Sequence, residues 1–312
     1  MPPQQTTKPI MKNNLPIAFI IGAPRSGTTI LCDVLGEHRE IESISEPYFI
    51  WDWKSGGGLD DVRTAADVTP ENAGFIRREF SHALENSGKK ILVEKTPENC
   101  FRVPFMHDVF PEAKWIFLYR NGLDVIASMN IEWRRRVDMV QKRDLKALWK
   151  TAKRMVMRQK HNRHRVLALI HEATQNFSLK PGRLFNKAKW QGRAAWGPRF
   201  PGWQQELDRC DNPVAFNARQ WAECSHAARA GLEGIDPSRI LRISYEDLVQ
   251  NREETIREIE TFLSVDHQPD LGAELRPSSL GKWKSYFSKD DVALIESIIE
   301  TQQSELGYKR VS

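Results

Sequence analysis

The residues from Ile20 to Thr29, Ile-Ile-Gly-Ala-Pro-Arg-Ser-Gly-Thr-Thr, have the makings of an anion site. The apolar run Ile17 to Ile21 reads as a buried strand. A loop bounded by Gly22 and Gly27 follows, and then a helical pattern over about Ile30 to Gly36. Strand, glycine loop and helix point loop N–H groups and the positive end of a helix at one anion. Arg25, Ser26, Thr28 and Thr29 add a guanidinium and hydroxyls to that cradle. A second anion site is suggested further on. The strongly apolar run Trp115 to Tyr119 ends at Arg120, and Ser128 lies two helical turns later. Ligands of open α/β sheets sit beyond the carboxyl ends of the strands. A guanidinium and a hydroxyl placed there can fork a phosphate.

The spacing of the first loop fits the nucleotide P-loop, G-x-x-x-x-G-K-[ST], with one departure. Thr28 occupies the lysine position, and the cation has moved into the loop as Arg25. The strand at 115–119 ends in Arg120 where a triphosphatase would place a metal-binding Asp. Magnesium-dependent triphosphate chemistry therefore lacks two of its parts, which leaves a P-loop kinase variant as a lesser alternative. The histidines at 38, 82, 107, 161, 164, 171, 226 and 267 show no metal-ligand clustering. Cys32, Cys100, Cys210 and Cys224 have neither C-x-x-C nor zinc spacing. No metal is expected.

The elements that must hold these residues alternate. Helical patterns over Glu71–Asn86 and Asn99–Phe110 flank an apolar strand at Ile91–Val93, and a helix leads from Asn121 past Met129. After a break come a helix at Val214–Leu232, a strand at Ile240–Ile243, and helices at 251–263 and 289–304. Alternating strands and helices argue for a parallel sheet with crossover helices. Residues 1–14 read as a disordered tail and 15–312 as one α/β domain. Its interruption, 134–212, is a basic insertion: mostly helical over 134–175, then loop-like over 176–212 with Trp190, Trp196 and Trp203. From Arg134 to Arg199 there are 19 Lys/Arg against 3 Asp/Glu, a local +16 within a chain whose net charge is +5. Charge gathered in one segment implies an acidic partner, an anionic surface or a solvated helix face.

The motifs resemble those of the sulfotransferase family, which moves a sulfuryl group from 3′-phosphoadenosine 5′-phosphosulfate to an acceptor. Ala23-Pro24-Arg25-Ser26-Gly27-Thr28-Thr29 is similar to the family's 5′-phosphosulfate loop, and Arg120 with Ser128 to its 3′-phosphate site. The likeness covers 17–133 well and 239–287 more loosely. It implies a P-loop-like three-layer fold with a central parallel sheet. Glu46, in Ser45-Glu46-Pro47, resembles the catalytic glutamate of the tyrosylprotein and carbohydrate branches, where it would take the acceptor hydroxyl's proton. Lys95-Thr96 resembles a family motif in which the cytosolic branch places a histidine next; here Pro97 stands in that place. Lys95 would neutralise the sulfate or steer the acceptor, and Glu98 is a rival base. Tyr245-Glu246-Asp247-Leu248 resembles the motif whose tyrosine packs near the adenine, a core-packed tyrosine being the alternative. Ser278, Ser279 and Lys282, in Ser-Ser-Leu-Gly-Lys-Trp-Lys, resemble the loop that folds over the 3′-phosphate.

The resemblance implies in-line displacement at sulfur, with Arg25, Thr28, Thr29 and loop N–H groups meeting the charge that builds on the leaving phosphate. The acceptor carries a hydroxyl, and the +16 segment favours an anionic one: an acidic polysaccharide, a peptide tyrosine or a glycolipid. A nucleic acid held by the basic insertion is the competing reading, unsupported by any recognised nucleic-acid motif. The first fifteen residues lack an apolar signal core, and no apolar run reaches the length of a membrane span. A cytoplasmic enzyme is the expectation.

Overall fold

A computed structural model describes residues 14–54, 60–141, 197–210 and 212–311, with backbone alone over 136–141. In chain order β1 (Ile17–Ile21), α1 (Thr28–Gly36), β2 (Ile41–Ser45) and α2 (Tyr48–Trp51) come first. They are followed by α3 (Pro70–Ser87), β3 (Ile91–Lys95), α4 (Val103–Val109), β4 (Lys114–Tyr119) and α5 (Gly122–Gln141). Beyond the basic segment lie α6 (Trp203–Arg209), α7 (Pro213–Leu232), β5 (Ile240–Ser244) and α8 (Tyr245–Gln250). The last are α9 (Arg252–Leu263), α10 (Trp283–Tyr286) and α11 (Lys289–Glu305).

The sheet is parallel throughout, in the order β2-β3-β1-β4-β5. Strands of such a sheet are buried on both faces, which is why β1 is apolar at every position. The two-residue period still sorts the side chains. Ile17, Phe19 and Ile21 of β1 join Trp115 and Phe117 of β4 in one core. Ala18, Ile20, Ile116 and Leu118 face the other. The first core is closed by α3, α4, α5, α7 and α11 through Phe80, Phe105, Ile126, Trp221 and Ile295. The second is closed by α1, α8 and α9 through Leu31, Leu248 and Ile259. Two helical layers around a sheet are the three-layer arrangement that the sequence implied.

Helix ends follow their chemistry. Thr69 caps α3 by accepting from the Asn72 N–H, Pro70 opens the helix, and Gly88 leaves it in the left-handed conformation. Ser288 and Asp291 form a capping box on α11.

Three boundaries differ from the sequence expectation. The third strand continues through Glu94 and Lys95, because both are buried and stay in the ladder with β2 and β1. The single helix expected over Asn99–Phe110 is a 3-10 segment, Pro97–Phe101, and then α4, parted at the non-helical Arg102, with Pro104 in the first turn of α4 where its missing N–H costs nothing. Inside the stretch expected to be loop, Trp203–Arg209 is helical, launched by Gly202 in the left-handed conformation. The expectations for the tail, for most of the basic helical run, for His161 and His164, and for Trp190 and Trp196 lie outside the described residues. Where the chain resumes, Asp61 clasps Arg199: each backbone N–H meets the other residue, at 2.9 Å through main-chain oxygen and 2.6 Å through the Asp61 carboxylate. Among the described residues no helix is long and apolar enough to cross a membrane.

Candidate active site

The first loop leaves β1 pressed against its neighbour; a Cβ at Gly22 would lie 2.2 Å from the Leu118 carbonyl oxygen. The loop then turns through two left-handed residues, Arg25 (φ 70°) and Gly27 (φ 100°). Gly27 is the N-cap of α1 and offers no side chain, so the N–H groups of the first helical turn have no side-chain cap. Ser26 Oγ is buried without a hydrogen-bond partner, Thr28 is buried and Thr29 half-buried. A Cβ on Gly27 would meet the Tyr245 ring at 2.3 Å, so this ring forms the wall of the loop.

Tyr245 has two sets of neighbours. It is buried in the second core, and it also touches the anion sites. Its hydroxyl lies 3.0 Å from Ser279 Oγ, and the Arg120 guanidinium stands 4.3 Å over its ring. Arg120 is buried at the carboxyl end of β4 and donates through Nη2 to the Ser279 carbonyl at 2.7 Å. Asp124 Oδ2 is 3.8 Å from the same nitrogen, a buried ion pair. Arg120 Nε is buried with no partner. Ser128 is half-buried on α5, and its hydroxyl accepts from Arg25 Nε at 3.1 Å. That bond joins two side chains expected at opposite ends of a nucleotide. Ser278 and Lys282 are exposed on the loop above.

Beside the first loop lies a second chemistry. Lys95 pairs with Ile20 across the sheet, so the end of β3 abuts the start of the loop. Lys95 is 1% exposed, and its ammonium donates to Glu46 Oε1 at 2.7 Å. Glu46 is a third as exposed as it could be, with 32% of its side chain accessible, and its backbone is left-handed at φ 59°. The Tyr48 hydroxyl is 3.5 Å from Glu46 Oε2. Behind Lys95, the buried Glu94 carboxylate accepts from Trp51 Nε1 (3.0 Å), Thr96 Oγ1 (2.5 Å) and Asn99 Nδ2 (2.9 Å). Burial pushes its pKa up to about 7 against those donors. Glu98 is also pushed up to about 7, by burial first and then by the charge of Asp61. Its Oε2 is buried and unpartnered. Arg102 reaches Asp52 at 3.2 Å and the Asp61 carbonyl at 3.2 Å close by.

The geometry therefore gathers anion donors next to a carboxylate paired with an ammonium. A model of the sulfotransferase family matches residues 16–176 and 193–269. The chain belongs to the sulfotransferase family. The nodulation protein NoeE of Sinorhizobium fredii (strain NBRC 101917 / NGR234) is 30% identical over 132 residues, 38% of this chain and 32% of that protein. A putative protein-tyrosine sulfotransferase of Caenorhabditis briggsae is 25% identical over 134 residues, 38% of this chain and 45% of the relative. The chain thus matches less than half the length of either. Among solved structures, the sulfotransferase domain of the curacin biosynthetic pathway superposes with a TM-score of 0.55 at 16% identity. That superposition covers 95% of this chain and 98% of the domain, and it shows a shared fold.

The sequence reading named Arg25, Ser26, Gly27, Thr28, Thr29, Arg120, Ser128, Tyr245 and Ser279 around the anion sites, and the fold gathers them beyond the carboxyl ends of β1, β4 and β5. It gathers Glu46 and Lys95 as well. Glu94, Tyr48 and Asp124 were not named as site residues. Asp124 carried one signal, its place four residues after Arg120. Its other partners are backbone N–H groups, which leave no mark in a sequence.

Proposed function

We propose that this chain transfers a sulfuryl group from 3′-phosphoadenosine 5′-phosphosulfate to the hydroxyl of an acceptor. The observation that carries this reading is the Lys95–Glu46 pair set beside a group of unpartnered donors. The uncapped N–H groups of α1, the unpartnered Ser26 Oγ and the unpartnered Arg120 Nε are all suited to phosphate or sulfate oxygens. Arg25, Ser26, Gly27, Thr28 and Thr29 would hold the 5′-phosphosulfate. Arg120 and Ser128 would take the 3′-phosphate, with Tyr245, Ser278, Ser279 and Lys282 closing over it. Sulfuryl transfer needs a base for the acceptor proton, and Glu46, held by Lys95 and still partly open, fills that role. In-line attack forms the oxygen–sulfur bond of the ester as the bond from sulfur to the bridging phosphate oxygen breaks. Arg25 and the loop N–H groups meet the charge left behind.

The acceptor class is a peptide tyrosine, a carbohydrate or a glycolipid, in keeping with the putative tyrosine sulfotransferase among the relatives. The buried thiols of Cys32, Cys100 and Cys224 suit a reducing cytoplasm. The test is thermal stabilisation by adenosine 3′,5′-bisphosphate without metal, set beside ATP with Mg²⁺, followed by an acceptor screen with radiolabelled donor. Stabilisation by ATP with Mg²⁺ alone would overturn the assignment in favour of a kinase.

A further inference from the structure

Asp124 does more than balance Arg120. Its Oδ2 is 3.8 Å from the guanidinium but 2.8 Å from the Gly281 N–H, and its Oδ1 accepts from the Trp283 N–H at 3.3 Å. The carboxylate thus grips the loop 277–286 by two backbone amides, from the first turn of α5, where the helix N-terminus favours negative charge. Two further bonds tie the same loop down: Arg120 to the Ser279 carbonyl and Tyr245 to the Ser279 hydroxyl. Past the grip, Trp283 packs on the first core and the Arg134 guanidinium stands 5.6 Å from the Tyr286 ring. At the tip, Gly281 is left-handed and a Cβ there would meet nothing within 4 Å. The loop is therefore fixed from below and open above.

We propose that Asp124 is the latch of this loop, a positioning residue that sets how long the nucleotide stays. The inference rests on the proposed 3′-phosphate role of Arg120. Arg120 is the shared member: it holds Ser279 of the loop, it faces Asp124, and its Nε is left over for a phosphate oxygen. An arriving phosphate meets a guanidinium already aimed by the latched loop. Opening the latch frees both the loop and the aim of the cation. Hydrogen bonds to a charged acceptor are roughly twice as strong as neutral ones. Asp124 makes two such bonds to the loop, where Arg120 makes one to the Ser279 carbonyl.

The experiment measures release of adenosine 3′,5′-bisphosphate by stopped flow, with residue-resolved amide exchange over 277–286, in wild type, Asp124→Asn and Asp124→Ala. Asparagine keeps the volume but presents an N–H₂ to one of the two amides. Release is expected to speed up by about tenfold or more in both variants. Exchange at Gly281 and Trp283 should rise without ligand, while amides of β1 and β4 stay protected. In wild type the same two amides should exchange more slowly than that of Lys282, a reading that needs no variant to fold. If wild type binds the bisphosphate and the variants release it at the wild-type rate, or Gly281 and Trp283 exchange as fast as Lys282, the latch is overturned and the transfer reading stands. If wild type does not bind the bisphosphate, both fall.

Discussion

Glu46 and Lys95 are bonded to each other twice. The Glu46 N–H donates to the Lys95 carbonyl at 2.7 Å, and the Lys95 ammonium donates to the Glu46 carboxylate at 2.7 Å. The first bond extends the β2–β3 ladder by one rung beyond Ser45, and the second turns the carboxylate toward the end of β1. The left-handed backbone at Glu46 is what lets one residue make both. Non-glycine residues held in that region cost on the order of 1 kcal/mol or more, and such strain gathers at functional sites.

Glu46→Gln should therefore reduce transfer by about 10²–10⁴ with little change in melting temperature. Glu46→Gly should be as inactive and less stable, since relief of the backbone does not offset a buried Lys95 ammonium left without that carboxylate. Single-turnover rates and melting curves check both. A glutamine variant with the wild-type rate would move the base to Glu98.

Arg25 is exposed, with its Nε donating to the Ser128 hydroxyl at 3.1 Å, so it contributes little to the core. Arg25→Ala should lose about 10²–10³ in rate while stability shifts only slightly. Matching losses of melting temperature and rate would show a structural part instead.

Gly27 is where the loop can least tolerate a side chain. Alanine there must adopt φ 100° and place its Cβ 2.3 Å from a buried ring. Gly27→Ala should destabilise the chain by about 1–3 kcal/mol and abolish stabilisation by the bisphosphate. Adding Tyr245→Ala relieves the clash but empties a buried site in the second core, so calorimetry should show no net recovery.

The Glu98 carboxyl, pushed up to about 7 by burial and then by Asp61, makes stability depend on pH. Between its ordinary value near 4.5 and that value, the folded chain holds a proton that the unfolded chain has released. Stability therefore falls as pH rises through this window, and Glu94 acts in the same direction. Glu98→Gln removes the Glu98 share: it should match wild type near pH 5 and exceed it at pH 8 by on the order of 1–3 kcal/mol. Melting curves at the two pH values check this, and an unchanged slope would place Glu98 in water.

The anion loop was legible because its signals are local. Gly22, Gly27 and the apolar run before them depend on backbone geometry within ten residues. Arg120 and Ser128 were legible for the same reason, lying on one strand end and the helix after it. The Lys95–Glu46 contact was not, since residues 49 apart meet only once β2 and β3 pair in register. The end of β3 was missed because Glu94 and Lys95 look like a solvent-facing terminus, whereas Trp51, Thr96, Asn99 and Glu46 supply buried partners from elsewhere. The helix Trp203–Arg209 was hidden by neighbouring prolines and glycines, whose turn signal outweighed a helix-forming seven-residue run.

The order β2-β3-β1-β4-β5 also bears on how the protein is made. Strands β1 to β4 lie within the first 119 residues, but β5 begins at Ile240 and, among the described residues, pairs only with β4. Closing so long a stretch of chain is a slow event, because distant contacts must first overcome loop entropy. A growing polypeptide would thus own Glu46, Lys95 and the anion loop long before Tyr245 arrives to wall that loop in. On the ribosome the chemistry would be assembled early, and the grip on the nucleotide would come last.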